Sequence, residues 1–135
     1  MGTFNKFPFF IKNKFVYLLK IIKSMIEIRE IKNFEDLKSF YAEAPESLHL
    51  VKIGAPWCGP CRMLSDTLHN LDPNKIGDTL IADVNIDEED NEDIAMEYNI
   101  RNIPVTLYVR NGEVLVKYVG ATSANDIYKL IEEYK

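Results

Sequence analysis

Residues 48–71 read LHLVKIGAPWCGPCRMLSDTLHNL, and a change of periodicity inside them decides the fold. Leu48 to Ala55 is an apolar, β-rich run, whereas Cys61, Leu64, Leu68 and Leu71 recur at helical spacing. A buried strand therefore feeds directly into a helix, and the joint is Trp57-Cys58-Gly59-Pro60-Cys61. The chain has only these 2 cysteines, so any thiol chemistry lies at this joint. A pair separated by two residues can set the first sulfur at a helix N-terminus, where unpaired N–H groups and the dipole favour thiolate over thiol. The second sulfur follows one turn on, within reach of a disulfide. The helical period turns it inward and the first sulfur outward.

Competing readings of the pair are weaker. A structural zinc site takes four Cys or His ligands, and beyond the pair the chain offers only His49 and His69, which form no second knuckle. A purely structural disulfide across so short a loop removes little chain entropy. The flanking Trp57 and the internal Gly59-Pro60 make the motif far more specific than a bare C-x-x-C.

Outward from the joint, strand and helix alternate. Ile26 to Glu30 reads as a first strand, and Asn33 caps a helix carrying Phe34, Leu37, Tyr41 and Ala44 on one face, closed by Pro45. Thr79 to Ile86 is a buried-type strand, and the acidic run Asp87 to Asp93 leads into a short helix ending near Tyr98, where acid suits the macrodipole. Asp83, Asn85 and Asp87 imitate the start of a calcium loop, but Glu88 stands at the turn-glycine position and Ile94 at that of the bidentate Glu. Val105 to Arg110 and Glu113 to Val119 flank Asn111-Gly112, a strong hairpin signal. Ser123 caps a last helix with Ile127, Leu130, Ile131 and Tyr134 inward. Parallel strands first and an antiparallel hairpin last predict an α/β fold: a mixed sheet with helices on both faces.

Length and composition agree with one domain. The 135 residues are 47% hydrophobic, enough for a single core and short for two. The formal net charge of −5 hides an asymmetry: residues 1–24 carry five lysines and no acid, leaving 11 basic against 21 acidic residues beyond them. An acidic body argues against nucleic acid as a partner. In residues 1–24, lysines interrupt the apolar stretches before any reaches spanning length, and neither a signal-peptide core nor a cysteine for lipidation is present. Two readings stay open for that segment, a basic amphipathic helix on an anionic membrane or an extension outside the core, the domain being 25–135.

The WCGPC at 57–61, Ile103-Pro104 and the Asn111-Gly112 hairpin together resemble the thioredoxin family over residues 25–135. The resemblance implies the thioredoxin fold and a protein-disulfide reductase without a bound cofactor or metal. Its electrons would come from NADPH through a flavin-containing thioredoxin reductase, and it would act on disulfide-containing proteins, a monomer being the default for this architecture; a cytoplasmic location is expected from the lack of an export signal. It further implies a cis Pro104 lying against the disulfide, although an X-Pro bond in a folded protein is cis in only about 5% of cases. Ile103 would then offer its backbone to an extended substrate chain, with Trp57 and Gly120 completing the substrate surface. In the expected reaction Cys58 is the nucleophile and Cys61 resolves the mixed disulfide. Gly59 keeps the loop small for an approaching chain, and Pro60 stiffens the helix start.

Departures from the family pattern set further expectations. Lys52 stands where the family carries a buried Asp, and Asp83 where it often has the partnering Lys. Each is the lone charge in an apolar run, which makes a reversed Lys52–Asp83 pair the economical reading; the alternative turns both side chains to solvent. A cation near the sulfurs lowers thiol pKa and makes a weaker reductant, so an oxidase or isomerase is the second reading and a non-catalytic binding module the third. Asp66 replaces a helix-kinking proline, predicting a straighter helix, and Val105 replaces a threonine.

Overall fold

The computed structural model describes residues 26–135, together with Lys14. Of residues 1–24 only Lys14 is described, so both readings of that segment lie outside the described residues. In chain order the elements are β1 (Ile28–Glu30), α1 (Phe34–Ala42), β2 (His49–Gly54), α2 (Gly59–His69), α3 (Pro73–Ile76), β3 (Leu80–Asn85), α4 (Glu92–Glu97), β4 (Val105–Arg110), β5 (Glu113–Val119) and α5 (Ala124–Tyr134), with a 3-10 turn at Glu89–Asn91 entering α4.

Local chemistry sets most boundaries. The Asn33 and Ser123 side chains accept the backbone N–H of Asp36 and Asp126, capping α1 and α5. Helix α1 stops at Ala42, short of the expected Ala44, because Pro45 excludes the right-handed helical region from the residue before it; Ala44 takes φ 46° instead. Helix α2 runs unbroken past Asp66. Leu71 lies beyond its end yet stays buried with Leu64 and Leu68. The short α3 is not anticipated by hydrophobic periodicity; its signal is local, Asp72 accepting Asn74 N–H and Pro73 occupying the first turn. Asn111 and Gly112 take φ of 53° and 75°, as a type I′ hairpin turn requires.

The five strands lie in the order β1-β3-β2-β4-β5, with β1, β3 and β2 parallel and β4 antiparallel to both β2 and β5. Strand alternation divides the core between the two faces. Val51, Ile53, Ala82 and Val84 pack with Leu37, Phe40 and Ile94 of α1 and α4, whereas Leu50, Ile81 and Tyr108 pack with Leu64, Leu68, Ile127 and Ile131 of α2 and α5. Central strands covered on both faces read as continuous apolar runs, which is why the charge within β2 stands out. In register, Lys52 is opposite Asp83 on one side and Thr106 on the other, and Asp83 is opposite Glu30. This polar row crosses the α2 face of the sheet two residues before Gly54.

Candidate active site

Strands β2 and β3 run parallel toward the end of the sheet where α2 begins. Cys58 is the N-cap residue of α2, and its Sγ accepts the backbone N–H of Cys61 at 3.2 Å. The sulfur thus sits at the positive end of the helix, where negative charge is stabilised. Cys58 and Cys61 form a disulfide with Cα atoms 5.2 Å apart. Pro60 lies in the first turn of α2, where its missing N–H costs nothing.

Exposure at the joint differs from the simple inward and outward assignment. Cys61 is 1% exposed, and Cys58 is also buried at 6%. The reason is packing across the chain: Ile86 and Ile103 close over Ala55 and the two cysteines. Trp57 is the exposed member, at 67%, with its Nε1 donating to Asp87 Oδ2 at 2.8 Å. At Gly59 a Cβ would meet nothing within 4 Å, so the loop surface is open there.

Pro104 is buried, and the Ile103–Pro104 peptide bond is cis. Gly120, with φ 106°, donates its N–H to the Pro104 carbonyl at 2.8 Å, which ties the end of β5 to the active-site loop. A positive φ of that size is a conformation glycine adopts without strain.

Behind the disulfide, Lys52 Nζ lies 3.3 Å from the Asp83 carboxylate and also donates to Ser65 Oγ on α2. The lysine side chain is 7% exposed and the aspartate 35%, so the pair is buried at one end and solvated at the other. Gly54 is the closest approach of the strand to the sulfurs: a Cβ there would lie 2.9 Å from Cys61 Sγ. Gly54, Ser65 and Ile86 are site neighbours that the sequence reading did not single out. Gly54 had a signal, since a glycine interrupting an apolar strand marks close backbone approach. Ser65 had a weaker one, its four-residue spacing from Cys61. Nothing local announces Ile86.

The family comparisons decide what this geometry belongs to. The thioredoxin family model matches residues 28–133. The chain belongs to the thioredoxin family. It is 40% identical over 99 residues to a thioredoxin of Chlorobaculum thiosulfatiphilum, an alignment spanning 72% of this chain and 90% of that one. It is 36% identical over 97 residues to a thioredoxin of Bacillus subtilis, covering 72% and 91%. Among solved structures, Fasciola hepatica thioredoxin superposes with a TM-score of 0.72 at 26% identity, covering 80% of this chain and 100% of the other. Family membership and the Cys58–Cys61 disulfide together make the chain a thioredoxin-type protein-disulfide oxidoreductase whose redox group is its own cystine. Among the described residues, no helix is long and apolar enough to cross a membrane, and no cluster of three or more His, Cys, Asp or Glu is placed to hold a metal.

Proposed function

We propose that this protein reduces disulfides in other proteins by dithiol–disulfide exchange, with Cys58 as nucleophile and Cys61 as resolving cysteine. The observation that carries the reading is the position of Cys58 Sγ as the N-cap group of α2. In the reduced protein the Cys58 thiolate attacks a substrate disulfide, releasing one substrate thiolate and forming a mixed disulfide. Cys61 then attacks Cys58 Sγ, the bond to substrate breaks, and two electrons have passed from the dithiol to the substrate. A flavin-containing thioredoxin reductase drawing on NADPH restores the dithiol.

Substrate docking fits the surface around the motif. Trp57 offers an exposed apolar face beside the sulfur. Ile103, whose backbone makes no hydrogen bond among the described residues, is available to pair with an extended chain by strand addition. Pro104 and Gly120 shape that edge through their mutual hydrogen bond. Residues 25–135 constitute the working domain, with 1–24 an extension outside it, and the protein acts as a cytoplasmic monomer.

The buried Lys52 ammonium favours a second reading, a more oxidising oxidase or isomerase, because a cation near the sulfurs stabilises the reduced thiolate form. The reduction potential separates the two. A value near −270 mV, about the figure general to thioredoxins, supports the reductase, whereas one near −180 mV, about that of an isomerase, or near −120 mV, about that of a strong oxidant, supports the second. Turnover of insulin disulfides tests the mechanism itself: Cys58→Ser abolishes reduction, and Cys61→Ser accumulates a mixed disulfide that added thiol releases. Substrate reduction that persists in Cys58→Ser would refute the assignment.

A further inference from the structure

The buried side of the redox pair holds a polar group that the exchange reaction as described does not use. The point where a Gly54 Cβ would stand is 2.9 Å from Cys61 Sγ and 3.5 Å from Lys52 Cε, so the sulfur and the lysine stem both pack against the side of Gly54 that carries no side chain. The Lys52 ammonium is divided between Ser65 Oγ and the Asp83 carboxylate. Ser65 follows Cys61 by four residues on α2, which places the two side chains on one face of the helix. A cavity of about 250 Å3 opens beside them, its charged walls being Glu30 from β1, Lys52 from β2, Arg62 from α2 and Asp83 from β3. That volume admits several waters between polar partners.

Resolution asks a buried thiol to become a thiolate, and burial opposes the charged form. The proton must leave Cys61 on its inner side. Lys52 cannot take it, because an ammonium has three donors and no lone pair; a serine hydroxyl both donates and accepts. Glu30 and Asp83 are the carboxylates on the cavity, and Asp83 is the one joined to Ser65 through Lys52. Arg62 is drawn off by the Pro56 carbonyl, to which it donates at 3.0 Å.

We propose that Ser65 is the proton-relay residue of the resolving step, passing the Cys61 proton toward Asp83 along the cavity while Lys52 offsets the charge growing on the sulfur. The proposal rests on Cys61 being the resolving cysteine. Ser65 Oγ takes the thiol proton as its own hydroxyl proton passes to the Asp83 carboxylate, directly or through cavity water. The Cys61 thiolate forms its bond to Cys58 Sγ, the Cys58–substrate bond breaks, and the electron pair leaves on the substrate sulfur, which is protonated from solvent. Asp83, 35% exposed, returns its proton to solvent.

Single-turnover stopped-flow against a fluorogenic disulfide peptide separates attack by Cys58 from peptide release by Cys61. Ser65→Ala is expected to slow release about a hundredfold at neutral pH, the low end of what a positioned proton-transfer group contributes. It also moves the pH profile of release upward and leaves the attack phase unaltered. Ser65→Thr, which keeps the hydroxyl, restores release, and Asp83→Asn slows it. Release from Ser65→Ala at the native rate with the native pH profile overturns the relay. So does a Ser65→Thr variant as slow as Ser65→Ala, which would mark the effect as packing. A native protein with attack but no release phase overturns the resolving role of Cys61 and the relay with it.

Discussion

Gly54 and Cys61 meet where β2 hands over to α2 with no side chain between them: a Cβ on Gly54 would fall 2.9 Å from Sγ and 3.1 Å from Cβ of Cys61. Neither atom can retreat cheaply, since Cys61 is 1% exposed and anchored at the first turn of a helix. Gly54→Ala is therefore expected to destabilise the oxidised protein by about 1–3 kcal/mol, the usual cost of an added methyl in a filled core. Urea unfolding measures it. An unchanged midpoint would mean that the start of α2 slides to make room.

Replacing Lys52 by Leu removes the cation whose stem passes the buried sulfur. The thiols of the reduced protein should titrate at higher pH, and iodoacetamide alkylation at pH 7 should slow by about threefold or more. Asp83 is left without its partner but reaches solvent, which limits the stability cost. An alkylation profile identical to that of the native chain would show that Lys52 is electrostatically silent at the site.

Asp36 joins α1 to β1, accepting the Lys32 N–H at 2.9 Å and the Arg29 guanidinium at 2.6 Å. The Lys32 N–H above all holds its carboxyl below the ordinary carboxylate range, against the effect of burial and with help from Arg29. A depressed folded-state value means that the native chain binds fewer protons than the unfolded one. The contribution is present above the unfolded value of about 3.9 and fades as pH falls through the lower folded value. Asp36→Asn should thus cost about 1–2 kcal/mol at pH 7, in the range of a charged hydrogen bond. The gap between the urea midpoints of variant and native protein should narrow as pH is lowered from 7 to 3; a gap that stays constant would show that Asp36 ionisation contributes nothing.

Tyr41 and Tyr98 share a hydroxyl contact of 3.0 Å between α1 and the end of α4. Burial pushes both phenols above the ordinary value, and Tyr108 as well. Because the folded values are raised, the associated stability is intact below about pH 10, the unfolded value, and is lost as pH climbs beyond it. In an alkaline titration followed by phenolate absorbance, Tyr41, Tyr98 and Tyr108 should ionise only together with unfolding. Tyr41→Phe should lose less stability than the native chain between pH 9 and 11. Early ionisation of all tyrosines would contradict this burial.

Features written by neighbours in the chain were legible beforehand. Asn33 and Ser123 cap helices because a cap needs only the next three residues, and Asn111-Gly112 makes its hairpin because the turn is two residues long. Cys58 and Cys61 stood out because their spacing is itself a helical turn. Even α3 has a local signal in Asp72-Pro73, although its four residues carry no periodicity.

The sequence alone determined that a strand runs into a helix at a cysteine pair, that a hairpin follows, and that two opposite charges lie inside apolar strands. Only the tertiary structure decided the strand order that sets Lys52 beside Asp83 and Thr106, the closure of Ile86 and Ile103 over Cys58, and the meeting of Lys52 with Ser65 behind Cys61. Caps, turns and periods are short-range consequences of backbone geometry, whereas these contacts join residues from separate elements and exist only once the sheet has assembled and the helices have packed on its two faces.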